Sequence, residues 1–339
     1  MLYVTTRNSR DTFTTQRALR ENRGPDGGMY LPFRAPRFSQ AELDALAEKP
    51  FNQRVADILN LLFQTRLSGW DVDFCAGRYP VRLESLSHRI VMAETWHNTQ
   101  WDFERTVRNI TARLQDGQPG DLGDWPRIAV RIAVLFGIFG ELKHAGMDQT
   151  WDIALVAGNF SAPISAWYAR QWGLPIGNLV CCCNENNSLW DLICHGQLRT
   201  DVLSIPTAIP EADVALPEDL ERLIRECGGT LEVGRYLDVC GRGGLYCPND
   251  AVLAQLRKGL YVSVVSTQRL ETTIPSVYRT HGYILSPSAA LAYAGMQDYR
   301  AKTGHTGPCL VLAEKGPAHN AEKVASMLGI TVEELKERT

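Results

Sequence analysis

An α/β fold, a mostly parallel sheet flanked by helices, is the class this sequence predicts, and three observations predict it. Downstream of residue 124, strand-like apolar runs alternate with segments of helical period at the spacing of βαβ units. One junction, "AGNFSAP" at 157–163, runs from an apolar strand through a glycine turn into a helix. The chain has 339 residues, 45% of them hydrophobic, enough to bury one large α/β core with an appendage, or two domains.

The elements follow in order. "MLYVTT" reads as a strand, "TTQRALREN" as a short helix, and "RGPDGGMYLP" as a loop punctuated by glycine and proline. "SQAELDALAEK" reads as a helix that Ser39 caps, with Glu42 completing a capping box. "NQRVADILNLLFQTRL" has helical apolar spacing, "HRIVMAET" gives a strand, and "QWDFERTVRNITARLQ" a helix. "DGQPGDLGD" breaks the pattern. Then come helix "WPRIAVRIAVLFGIFGELKHAG", strand "WDIALVAG", helix "SAPISAWYARQWG", strand "IGNLVCCC" and a helix around "NSLWDLICHG". Beyond a mixed region with a helix at "PEDLERLIREC" lie strand "LYVSVVS", helix "SPSAALAYAGMQDYRAKTG", strand "PCLVLA" and two closing helices.

Composition narrows the function classes. The net charge is −3 and opposite charges are interspersed, so no basic stripe argues for nucleic acid or an anionic membrane surface. The most apolar window, "RIAVRIAVLFGIFGELK", is interrupted by Arg131 and is too short to span a bilayer, which predicts a buried helix. "MLYVTTRNSRD" lacks the apolar core of a signal peptide, so the expectation is a cytoplasmic protein with free thiols. Nine cysteines include the run Cys181-Cys182-Cys183, but successive strand residues face opposite ways. Cys240, Cys247, Cys227 and the Cys194-His195 pair have no zinc spacing, and no metal is expected.

The turn at 157–163 has the form of an anion cradle. Unpaired amides at a helix N-terminus point outward and the helix dipole favours negative charge. Gly158 permits a tight turn and a close approach, and Asn159 and Ser161 add hydrogen-bonding side chains. The same residue types also serve as plain helix caps.

From this loop outward the sequence resembles the threonine synthase family of fold type II pyridoxal-phosphate enzymes. "LVAGNFSAPISAWYARQWGLPIGNLVCCCNENNSLWDLICHGQ" is similar to that family's "PSGNFGDxxAGxxAxxMGLPI…ATNENDxLxxFxxTG". "TTRN" and "RGPDGGMYLP" resemble its N-terminal "STR" and "APDGGLYVP", and "DLGDWPRIAVRIAVLFGIFGEL" its "NSINWxRxxPQxxYYFxAYxxL". "PEDLERLI" and "SVYRTHGYILSPSAALAYAG" resemble "PSNFERLL" and "xxYxxxGYLLDPHTAVAYAA". The motifs come in family order over most of the chain. They imply an N-terminal segment at 1–85 and an α/β core at 86–339, truncated at about 115–124.

The departures bear on function. The family's "ELFHGPTLAFKD" carries the lysine that forms the Schiff base with the cofactor. Here the stretch is "ETWHNTQWDFER", which keeps Glu94, His97 and Phe103 but has Glu104 at the lysine position. A carboxylate forms no imine with an aldehyde. The other lysines, among them Lys143 and Lys315, read as polar helix faces or turns away from strand ends. The family's smaller domain, with its "SGDTG" substrate clamp, has no room in "TARLQDGQPGDLGD". Its "DPHTA" threonine position is Ala289, and "GNFGD" has become "GNFSA".

The resemblance therefore implies a threonine-synthase-like protein with no covalent pyridoxal phosphate. Its relict cleft is expected to hold a small anionic or phosphorylated metabolite on Gly158, Asn159, Phe160 and Ser161, with Asn184 and Asn186 in the neighbouring turn. A homodimer or a partner protein is expected to cover the truncated face. An alternative gives the old site new chemistry, with Glu104 as acid or base beside His97, its pKa raised by burial, and Cys183 as a possible nucleophile. A further alternative keeps the family's lyase chemistry on a displaced lysine.

Overall fold

In the computed structural model, which describes residues 1–77, 81–97, 103–115 and 124–339, two sheets frame the molecule. Strands β1 (Leu2–Thr5), β2 (Phe13–Thr14) and β3 (Tyr30–Pro32) form a small antiparallel N-terminal sheet in the order β2-β1-β3. The central sheet uses β4 (Arg82–Ser87), β5 (Ile90–Glu94), β6 (Trp151–Val156) and β7 (Ile176–Cys183). After a two-stranded ribbon of β8 (Leu198–Arg199) and β9 (Leu245–Tyr246), it is completed by β10 (Leu260–Val264) and β11 (Cys309–Ala313). The central order is β10-β7-β6-β11-β5-β4; all pairs are parallel except β4 with β5.

Helices cover both faces, which is why β6, β7 and β11 are buried along nearly their whole lengths. One face packs on the helices Phe51–Phe63, Phe103–Leu114, Asp124–His144 and Ser161–Gln171. The other packs on Thr267–His281, Pro287–Thr303 and Ala321–Leu328. Cys181 and Cys183 join the first core and Cys182 the second, following the strand's alternation. The first core also contains Tyr3 and Leu59 of the N-terminal segment beside Ile153 and Leu310 of the sheet. No helix among the described residues is long and apolar enough to cross a membrane.

The Gln40–Ala47 helix carries the expected Ser39/Glu42 capping box. Several features were not anticipated, among them strand β4 and strand β3, which ends the segment 23–32 read as a loop. The helix read at "PEDLERLIREC" continues from Leu220 to Arg242, bending at Gly229, whose φ of 73° breaks regular helix geometry. Helices Gly69–Ala76, Asp250–Arg257 and Thr267–His281 are additional. The break at 116–123, where the truncation is expected, lies outside the described residues.

Topology locates the crevice. After β6 the chain turns to the first face, into the Ser161–Gln171 helix; after its neighbour β11 it turns to the second, into Ala321–Leu328. Adjacent parallel strands whose chains leave to opposite faces open a gap at their carboxyl ends, where open α/β sheets bind ligands.

Candidate functional site

A cavity of about 330 Å³ lies at that switch point. Its walls are the ends of β6 and β11, residues Ala157, Gly158, Asn159, Ser161 and Ala162 of the turn, Pro210, Glu211 and Val214 from an irregular segment, and Ser288 at a helix start; Phe160, expected at the ligand, is buried and is not among them. Glu104, Arg131, Glu314 and Lys315 bring charge to it.

The turn is built by its backbone. Gly158 has φ 45°, and a Cβ on it would stand 2.7 Å from the carbonyl oxygen of Glu211. Phe160 also has a positive φ of 74°, a strained state for a residue with a side chain; burial of its ring in the first core holds it there. The amides expected to face a ligand have partners within the loop. The Phe160 amide donates to the Ala157 carbonyl at 2.8 Å, and the Ser161 amide to Asn159 Oδ1 at 3.1 Å. Pro163 has no amide to offer at the third helical position. An anion therefore gains the Ser161 amide by displacing the exposed Asn159 side chain, which already supplies an oxygen there.

Asn184 and Asn186 lie elsewhere than expected. Both are buried, and neither lines the cavity. Asn184 Nδ2 donates to Thr207 Oγ1 at 2.9 Å and to Asp213 Oδ1 at 2.7 Å; Asn186 Nδ2 donates to the Ile205 carbonyl at 2.8 Å. Their amides fasten the segment around Ile205–Asp213, whose Pro210 and Glu211 roof the cavity. Their role in the fold is one step removed from a ligand.

Glu104 occupies the first turn of the Phe103–Leu114 helix and lines the cavity. One oxygen meets Arg127 Nη2 at 3.1 Å and the other is ion-paired with Arg131. Arg131 reaches out of the buried Asp124–His144 helix, packs 4.9 Å over the Phe103 ring, and pairs through its other terminal nitrogen with Glu314. Burial alone would push the Glu104 carboxyl up, but the charges of Arg131 and then Arg127, with their hydrogen bonds, bring it below the ordinary value. Glu314 moves the other way: burial raises it against Arg131, and Glu104 and Glu211 add to the rise. The expected raised pKa thus belongs to Glu314, and Glu104 is held ionised.

His97 is not brought to Glu104. Its Nδ1 stands 3.7 Å from Glu94 Oε2, and it is not among the residues lining the cavity. Cys183 is buried in the sheet core, where burial pushes its thiol up to about 12, unsuited to a nucleophile at neutral pH.

Lys315 corrects the expectation that the lysines avoid strand ends. It stands two residues past β11, lines the cavity, and meets Glu211 Oε2 at 3.1 Å. Ala289 is buried, its amide capped by Ser286 Oγ at 3.2 Å, and its neighbour Ser288 brings a hydroxyl-bearing residue to the cavity. Arg131, Glu211, Ser288, Glu314 and Lys315 were not read as site residues. Two signals point to them: "EK" falls just past the strand "PCLVLA", and Arg131 is the lone charge in the apolar run 128–140.

Comparison with known proteins follows this geometry. Residues 2–75 match the family described as threonine synthase N terminus. Threonine synthase of Pseudomonas aeruginosa is 26% identical over 179 residues, covering 52% of this chain and 38% of that protein. Human threonine synthase-like 1 is 26% identical over 230 residues, covering 63% of this chain and 29% of that protein. The chain thus spans well under half the length of these two relatives. Among solved structures, PLP-bound threonine synthase from Brucella melitensis superposes with a TM-score of 0.85 at 18% identity, covering 97% of this chain and 92% of that one. Yeast threonine synthase gives 0.82 at 18% identity, covering 97% and 90%. These two likenesses establish the fold.

Proposed function

Because the chain is a homologue of the threonine synthases, we propose that it is a threonine-synthase-like protein that has left covalent pyridoxal-phosphate chemistry and binds a small anionic or phosphorylated ligand in the relict cleft. The observation that carries this reading is Glu104. It stands at the position the resemblance gives to the anchoring lysine, and both its oxygens are held by arginines. The residues present do not fit the cofactor as that family anchors it: the carboxylate offers no amine, and Arg127 and Arg131 hold it in place. Cavity size and the donors at Ser161, Ser288, Arg131 and Lys315 support a small anion. The protein acts in the cytoplasm on this reading, with a homodimer or a partner protein over the truncated face; sedimentation of the purified chain reads the homodimer directly.

Incubation with pyridoxal phosphate, reduction with borohydride and peptide mass spectrometry test the proposal. The expected result is no lysine adduct near one per chain.

Lys315 favours a second reading, the family's lyase chemistry on a displaced amine. It lines the cavity two residues past β11, the strand parallel to the one that precedes Glu104. Against it stands the 3.1 Å pair with Glu211, which already engages the Lys315 nitrogen. A stoichiometric adduct at Lys315, lost in Lys315→Met, would replace the first reading with this one.

A further inference from the structure

Arg131 is the buried guanidinium of the cavity, 6% exposed, and each of its terminal nitrogens already holds a carboxylate. Glu104 and Glu314, the two carboxylates, both line the cavity and are about one-third exposed, at 36% and 29%. They occupy on Arg131 the places an anion entering from the cavity would take.

The two are not equivalent. Glu104 has a second cation, Arg127 at 3.1 Å, and leaving Arg131 would break two ion pairs. Glu314 is ion-paired with Arg131 alone among the described residues. The charged groups facing Glu314 come from three elements. Arg131 reaches it from the Asp124–His144 helix, Glu104 from the Phe103–Leu114 helix and Glu211 from the roof segment. Lys315, its chain neighbour, is turned to Glu211. Two of the three facing side chains are therefore acids, and they press on a carboxyl that burial already pushes up.

The lining carries three carboxylates, Glu104, Glu211 and Glu314, against two cations, Arg131 and Lys315. A ligand anion added to such a wall meets like charge at close range unless one negative charge is removed. We propose that an anionic ligand group takes the place of Glu314 on the Arg131 guanidinium, and that the displaced carboxylate takes up one proton from solvent. Glu314 thus acts as a resident stand-in for the ligand, and Arg131 as its anchor. The inference rests on the anion-binding reading of this cavity and deepens it by naming the anchor and the linked proton.

Proton uptake fixes the sign of the pH dependence. Where Glu314 of the unliganded protein is already neutral, affinity is flat. As pH rises above that titration, each bound anion requires a proton that is scarcer, and affinity falls by about tenfold per pH unit. Sulfate is the probe, because its charge stays constant across the range. Titration calorimetry from about pH 5.5 to about pH 8.5, at constant ionic strength and in two buffers of different protonation heat, counts the protons.

The expected result is about one proton taken up per sulfate by the unaltered chain above that titration, with the falling affinity. Glu314→Gln should bind about tenfold tighter or more at the alkaline end, with the slope gone, because a neutral amide has no charge to lose. Glu211→Gln, which frees Lys315 instead, should keep the slope. Sulfate binding without proton uptake, or a slope that survives in Glu314→Gln, overturns the displacement while leaving anion binding intact. Sulfate binding to neither the unaltered chain nor Glu314→Gln overturns the anion-binding reading itself.

Discussion

At the residue scale, Glu104 shows how an acid is held at the cavity wall. An acid in a first helical turn suits the helix dipole, and two arginines from the next helix complete its surroundings. An amine placed there should therefore make no cofactor anchor: Glu104→Lys sets a third cation against Arg127 and Arg131 and leaves Glu314 as the only acid on Arg131. A loss of about 1–3 kcal/mol is expected, toward the lower end because Glu104 is partly exposed. Urea unfolding measures that loss, and visible absorbance after incubation with pyridoxal phosphate should stay at baseline. The pH response of the pair has opposite signs. Glu104 sits below its ordinary 4.5 in the folded chain, so its contribution is complete at neutral pH and disappears as pH falls from 4.5 through the folded value. Glu314 is raised above 4.5, so its contribution is present below 4.5 and is lost as pH climbs through the folded value. Glu314→Gln should thus gain on the unaltered chain as pH rises from 4.5, then level off; urea midpoints across that range test it.

At the scale of elements, the cavity depends on how the 157–162 turn seats against its roof. Gly158→Ala combines a positive φ with a Cβ 2.7 Å from the Glu211 carbonyl. It should lose about 1–3 kcal/mol and weaken sulfate binding, because turn and roof must part. Asp213 holds that roof. Its carboxylate accepts from the Thr207 amide and hydroxyl at 2.6 Å each, and from Asn184 at 2.7 Å. Asp213→Ala leaves those donors unmet, and limited proteolysis should then cut between about 201 and 216 faster than in the unaltered chain. Much of this architecture was legible. The alternation "WDIALVAG", "SAPISAWYARQWG", "IGNLVCCC" gives β6, its helix and β7 because strand and helix periods differ plainly. The Thr267–His281 helix was not legible, because its threonines and internal Pro275 lower helix propensity, and packing of Leu270, Ile274 and Val277 overrides them. Sequence also placed Glu104 and Gly158 at the cavity. It could not show that Asn184 and Asn186 turn inward to Asp213, since that depends on a segment more than fifteen residues away folding over them.

At the scale of the whole molecule, the question is whether the N-terminal segment unfolds with the sheet. Tyr3 and Leu59 share one core with Ile153 and Leu310. Buried ions cross the same boundary. Arg54 of the Phe51–Phe63 helix is fully buried against Gly140 and ion-paired with Glu141 of the Asp124–His144 helix. Arg222, also fully buried, pairs with Asp219 and with Asp124 at 2.7 Å and lies within 3.4 Å of the Tyr30 carbonyl. Arg7 meets Glu221 at 3.1 Å. A boundary crossed by one shared core, the Arg54–Glu141 and Arg7–Glu221 ion pairs and the Arg222 hydrogen bond to the Tyr30 carbonyl predicts a single cooperative transition, with tryptophan fluorescence and far-ultraviolet circular dichroism tracing one curve. Gly140→Ala probes the seam where it is tightest, because the new methyl would occupy the space of the Arg54 guanidinium. Displacing that ion from Glu141 while overpacking the helix contact should cost about 2–5 kcal/mol. Under the shared-core account the variant's midpoint falls and its two probes still coincide. Probes that separate, in the variant or the unaltered chain, would show that residues 1–85 fold as a unit of their own and that the cavity is held by the sheet and its helices alone.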